Sequence, residues 1–99
     1  YLTADRFAAS QALSLQVVNE VLEVDNFESA AVTYTARFAN GPSVAQRYIK
    51  ENLNRALTAD LLTCLDAEAV AMSRCRSTDD HKEAVEAFVA KRAPVFNGR

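Results

Sequence analysis

Apolar residues recur along this chain with a three-four rhythm over most of its length, the period of helices that bury one face. Asp25-Asn26-Phe27-Glu28 reads as a helix start: Asp25 can accept from free N–H groups of the first turn, and Glu28 three positions on completes a capping box. Ala30, Ala31, Tyr34, Thr35, Arg37 and Phe38 then keep helical spacing to about Asn40, where Gly41 is placed as a left-handed cap and Pro42 blocks continuation. Ser43 is a candidate cap for a second helix, Val44 to Leu57, whose apolar set is Val44, Ala45, Tyr48, Ile49, Leu53 and Leu57. Thr58 is the candidate cap of a third, with Asp60 in its first turn and Leu61, Leu62, Cys64, Leu65, Ala69 and Met72 on its buried side up to about Cys75. Ser77 or Thr78 caps the last helix, with Asp79 and Asp80 in its first turn, Lys91 and Arg92 in its last, and Pro94 ending it.

The first 24 residues read differently. Leu2 to Phe7 is a short strand or extended lead-in, and Ala8 to Leu15 a short helix with Ala9, Ala12 and Leu13 on one face. Val17-Val18-Asn19-Glu20-Val21-Leu22 is rich in β-branched residues and favours an extended segment, which in isolation is an unpaired edge. The expected class is mainly α: a short αβ lead-in over residues 1–24, then a four-helix region over 25–99.

Composition narrows the function. With 99 residues, a net charge of −2 and 49% hydrophobic content, the chain is one small globular domain without the basic footprint that nucleic acid demands. No apolar run reaches the roughly 20 residues that span a bilayer, and no stretch has the form of a signal peptide. Tyr1 is not an initiator Met, so the reading frame is expected to extend upstream or the chain to have been processed.

Cys64 and Cys75 fall in one predicted helix, about 16 Å apart at 1.5 Å per residue. A disulfide needs Cα atoms within about 7 Å. Free thiols follow, and with them a reducing, cytoplasmic setting. A metal site with His81 as third ligand is the sharper alternative; the spacing fits no zinc pattern, and packed thiols with a surface histidine account for the same residues. Asp79-Asp80-His81 superficially suggests acid–base chemistry, but adjacent helical residues do not face each other, and capping explains the acids. Glu28, Glu51, Glu68, Glu83 and Glu86 are expected on solvated faces.

The final segment is the most distinctive. Asp80, Glu83, Ala87, Phe88, Lys91, Arg92, Pro94 and Phe96 match, in order and spacing, the C-terminal tail of the crotonase superfamily, the enoyl-CoA hydratases and isomerases: Ser-x-Asp-x-x-Glu-Gly, then Ala-Phe, then Lys-Arg-x-Pro-x-Phe. Phe7 to Val21 is similar to that family's Ala-x-x-Ala-x-x-x-Gly-Leu-Val-Asn-x-Val stretch, and Gly41-Pro42-Ser43-Val44-Ala45 with Lys50 to its Gly-Pro-x-x-Ala-x-x-x-x-Lys segment. Two positions depart. Gln16 stands where the family prefers a glycine, which implies a different turn or about 1 kcal/mol of strain. Ala84 stands where it prefers another, an easier change inside a helix.

The resemblance implies an acyl-CoA enzyme that stabilises an enolate-like intermediate in an oxyanion hole of two backbone N–H groups, with one or two acidic residues moving protons. Those groups belong to a spiral core expected upstream of Tyr1, so no catalytic residue, metal ligand or cofactor is assigned here, and this chain alone is expected to be inert. What the resemblance assigns to this segment is assembly into a trimer or dimer of trimers, a lid over the acyl pocket, and contacts to CoA across subunits through Phe88 and Lys91. The ending is most similar to hydratases and to ring-epoxide isomerases. By pattern alone, Phe88 reads as a core residue and Lys91–Arg92 as a solvated, dipole-complementing pair; Phe96 pins the tail or docks on a neighbour. The rival reading is a non-catalytic helical oligomerisation module that binds a partner and not CoA.

Overall fold

The computed structural model describes residues 2–99. Five α-helices follow one another: α1 (Ala9–Ser14), α2 (Phe27–Ala39), α3 (Ser43–Ala56), α4 (Leu61–Arg76) and α5 (Asp79–Val89), with a 3₁₀ turn at Val24–Asn26 leading into α2. The mainly α expectation is met. The β part of the lead-in is not: among the described residues neither Leu2–Phe7 nor Val17–Leu22 forms a strand. β-branched residues suit a pleated surface, but a strand exists only when a neighbouring segment closes its hydrogen-bond ladder.

The chain forms two compact units, divided between Thr35 and Ala36. In the first unit, α1 buries Ala12 and closes with a paired turn: Gln16 N–H donates to Leu13 O (3.0 Å) and Val17 N–H to Ala12 O (2.9 Å). This is the double bond of a Schellman cap, whose pivotal residue is normally glycine. Gln16 holds it at φ 56°, so the turn is kept and the strain accepted.

The second unit carries the rest. Gly41 is not the left-handed cap expected of it, since Gly98 is the one glycine with positive φ. Its reason is space: Gln46 Nε2 donates to Phe38 O (3.0 Å), and its amide occupies the place a Cβ on residue 41 would need. Pro42, not Ser43, is the N-cap of α3 and lends it no side-chain bond. α4 starts two residues later than Thr58 suggests, because Thr58 and Ala59 still turn back onto Arg55 O (3.1 and 3.0 Å). Asp60 is itself the cap, accepting from Thr63 N–H (2.9 Å) and Thr63 Oγ1 (3.0 Å), and these bonds hold its carboxyl below the usual range.

α3 packs on α4 and α4 on α5. Of the side of α4 expected to be buried, Cys64 faces inward, but Leu61, Leu62, Leu65, Ala69 and Met72 do not. Ala71 is buried and Cys64, Ala67 and Cys75 are half-buried, a stripe at positions 64, 67, 71 and 75, while Leu61, Leu62, Leu65 and Met72 are exposed. Small side chains let neighbouring helices approach closely, and here that closeness decides which face turns inward. α3 follows suit: Val44, Ala45, Tyr48 and Asn52 are half-buried, and Ile49, Leu53 and Leu57 exposed. Asn52 crosses to α4, donating to Glu68 Oε2 (2.6 Å). Cys64 and Cys75 are free thiols within the single helix α4, as expected. The buried hydrophobic residues are three alanines, Ala12, Ala71 and Ala87, and no large side chain among the described residues is fully buried.

Candidate functional site

The candidate site is built from α5 and the ten residues after it. Thr78 caps α5 by accepting from His81 N–H (3.1 Å), and Asp79 and Asp80 occupy its first turn. Asp79 pairs with Lys82 (2.8 Å); the bond lowers the pKa of the acid and raises that of the amine. The helix ends earlier than Pro94 predicts. Val89 is its last residue, Ala90 its C-cap, and no basic residue lies in its last turn.

Lys91 is the residue that turns the chain. It takes φ 53°, its N–H donates to Phe88 O (3.2 Å), and Arg92 N–H donates to Ala87 O (3.0 Å). This second Schellman cap again carries a side chain where glycine is usual. Phe88 and Lys91 are therefore not one helical turn apart on one face, as spacing suggests. They are the two ends of one closing backbone bond, Phe88 on the helix and Lys91 just beyond it. Phe88 is 84% exposed and shares an apolar ridge with Val85 and Val89. Lys91 is exposed and makes no ion pair among the described residues.

Beyond this turn the tail folds back along α5 and is fastened by two carboxylates. Glu83 Oε2 accepts from Arg92 Nη2 (2.8 Å) and Oε1 from Arg92 Nη1, a two-pronged pair, while Oε1 also accepts from Val95 N–H (2.8 Å). The guanidinium first, and then the Val95 amide, hold the Glu83 carboxyl down at about 2. One turn earlier Asp80, only 4% exposed, accepts from Asn97 N–H (2.7 Å) and Gly98 N–H (3.0 Å). Its own N–H donates to Arg99 O (3.0 Å). Gly98 sits at φ 73°, and a Cβ there would lie 2.7 Å from Ser43 Oγ. Phe96 forms one wall of a hollow of about 130 Å³ that Pro42, Val44, Ala45, Thr78, His81 and Ala84 also line.

Sequence reasoning thus placed Asp80 as a helix-dipole acid and Glu83 on a solvated face, and missed their main task. The signal was present: two acids three residues apart, an arginine nine residues after the second, and an aromatic beyond a proline. Arg92 is Glu83's partner, not a dipole-complementing charge, and Phe96 shares the lining of one hollow with residues of α3 and α5. His81 lines the same hollow. No group of three or more His, Cys, Asp or Glu among the described residues could hold a metal ion. No helix among them is long and apolar enough to cross a membrane.

The structure gives a helical class with a carboxylate-fastened tail, and comparison with known proteins gives the family. The enoyl-CoA hydratase/isomerase family model matches residues 1–99. The chain is 33% identical over 90 residues to a short-chain-enoyl-CoA hydratase of Clostridium acetobutylicum, covering 91% of this chain and 34% of that protein. It is 30% identical over 98 residues to the 1,2-epoxyphenylacetyl-CoA isomerase of Escherichia coli, covering 99% and 37%. Among solved structures, a Mycobacterium abscessus protein assigned as an enoyl-CoA hydratase/isomerase superposes with a TM-score of 0.92 at 38% identity, over 100% of this chain and 38% of that one. The chain belongs to the enoyl-CoA hydratase/isomerase family, within the crotonase superfamily. It spans a little over a third of the length of these relatives.

Proposed function

We propose that this chain is the C-terminal helical region of an enzyme that hydrates or isomerises acyl-CoA thioesters, with the proton-moving acids and oxyanion donors in a core outside it. Its contribution is assembly, into a trimer or dimer of trimers, and contact with CoA through Phe88 and Lys91. The observation that carries this reading is the presentation of those two residues. An exposed phenyl ring on the last turn of α5 and an exposed ammonium, without an ion pair among the described residues, lie on either side of a turn closed by α5 and its fastened tail. An apolar ring suits the pantetheine arm, and an ammonium its phosphates. The exposed rows Leu61, Leu62, Leu65 on α4 and Ile49, Leu53, Leu57 on α3 support coverage by the core or by sister subunits. The half-buried free thiols support a reducing, cytoplasmic setting.

The exposed rows alone also suit the rival, a helical module used only for association. Calorimetric titration of the full-length protein with CoA, beside turnover of crotonyl-CoA, separates the two. Saturable binding weakened by Lys91→Ala, with turnover, supports the acyl-CoA enzyme. A stable oligomer that neither binds CoA nor turns over the thioester supports the rival. The 99-residue chain by itself is expected to leave crotonyl-CoA unchanged.

A further inference from the structure

The tail fastening explains something that the two exposed site residues do not. Lys91 occupies the left-handed position of its cap, where an L-residue with a side chain costs roughly 1 kcal/mol relative to glycine. Such strain persists only where the surroundings over-determine it. Here they do. Arg92, the next residue, is gripped by both oxygens of Glu83, and Val95 N–H is bonded to the same carboxylate. Asp80 takes two more backbone N–H groups, and Phe96 lines a hollow with residues of α3 and α5. The turn at Lys91 is thus tied on one side by helix α5 and on the other by a strap whose anchors are both on α5. Released from that strap, residues 90–93 could relax to a right-handed or extended backbone, and the Lys91 side chain would leave from a different direction.

We propose that Glu83, with Asp80 behind it, is a positioning residue for nucleotide recognition: by gripping Arg92 and the tail it presets the strained turn that aims Lys91 at the phosphates of CoA. This rests on the reading of Lys91 as a CoA contact. Neither acid touches the ligand. Both act by removing the ordering cost that a mobile lysine would incur on binding.

The test uses the full-length enzyme and two substrates, crotonyl-CoA and the N-acetylcysteamine thioester of crotonate, which has the reacting acyl group but no nucleotide. Glu83→Gln keeps the shape and removes the charge. It is expected to raise KM for crotonyl-CoA about tenfold, the equivalent of one charge-assisted hydrogen bond, while kcat stays within about twofold. kcat/KM for the truncated thioester stays at the wild-type value. In a Lys91→Ala background the same substitution adds less than about twofold, because the residue it positions is gone. Arg92→Lys, which keeps the charge and loses the two-pronged grip, shows the same pattern more weakly and serves if Glu83→Gln does not fold. Equal losses on both substrates would overturn the proposal and make the strap purely structural. So would an unchanged KM in Glu83→Gln where Lys91→Ala raises it, a result that leaves the CoA contact standing. If Lys91→Ala itself leaves KM unchanged, the CoA-contact reading fails and the positioning role falls with it.

Discussion

Along the tail of α5, each buried polar side-chain atom finds a partner, whereas on the outer face of α4 the large apolar side chains find none. Asp80 and Glu83 are bonded to the backbone of residues 95, 97 and 98, and no buried side-chain nitrogen or oxygen among the described residues is left unpaired. Leu61 and Leu62, by contrast, are each 73% exposed. The first region is finished by its own residues. The second is a surface shaped for something else to cover, because isolated apolar residues are ordinary on a surface but contiguous rows mark an interface.

The comparison breaks most visibly on α4. Leu61→Ala and Leu65→Ala are each expected to cost about 2–5 kcal/mol in the assembled full-length protein, as buried leucines do, and denaturant unfolding measures it. If both changes stay within about 0.5 kcal/mol, the outer face is plain surface and the contrast drawn here is false.

Next in size is the strap. Asp80→Ala removes the acceptor of two backbone N–H groups and should cost about 2–3 kcal/mol, with the Asn97 and Gly98 amides losing protection from hydrogen exchange. Unchanged protection would mean that the Glu83 grip holds the tail without Asp80.

Acid should loosen the same strap. The carboxyl of Glu83 is depressed from 4.5 to about 2 by Arg92 and then by the Val95 amide. Its stabilising contribution is complete above the unfolded value and is lost as pH falls from about 4.5 through 2. Glu83→Gln should flatten that part of the stability–pH curve; a curve identical to wild type contradicts the pairing.

The smallest effect belongs to the two strained caps. Gln16→Gly relieves φ 56° and should stabilise by about 1 kcal/mol, less the entropy that glycine adds to the unfolded chain. A loss of stability would mean that the Gln16 side chain is held by contacts that offset its strain.

Much of this was legible in the sequence. Helix positions follow largely from period and from punctuation: Thr78 caps α5 and Pro42 closes the gap between α2 and α3, whereas Asp60, not Thr58, caps α4 and Gly41 is not left-handed; the tail match points to the family through residues that fasten it. The misses share one cause. Hydrophobicity says which residues prefer burial, but not which neighbour will bury them. Leu61, Leu62, Leu65 and Met72 were read as the inner face of α4, whereas the close approach that Ala67 and Ala71 permit decided the packing within the chain. Val17–Leu22 reads as extended from its β-branched residues, but no partner segment among the described residues closes a ladder on it. The end of α5 was read at Pro94, because a lysine in a left-handed cap has no local signature; only the family's preference at the equivalent α1 position, broken by Gln16, hinted that this chain tolerates such caps.

The most direct test of the account is the affinity of the full-length protein for CoA, measured by calorimetry, with Lys91→Ala as its control. The account predicts saturable binding that Lys91→Ala weakens about tenfold, as loss of a charge-assisted contact should. A folded, oligomeric protein with no measurable CoA binding would contradict it.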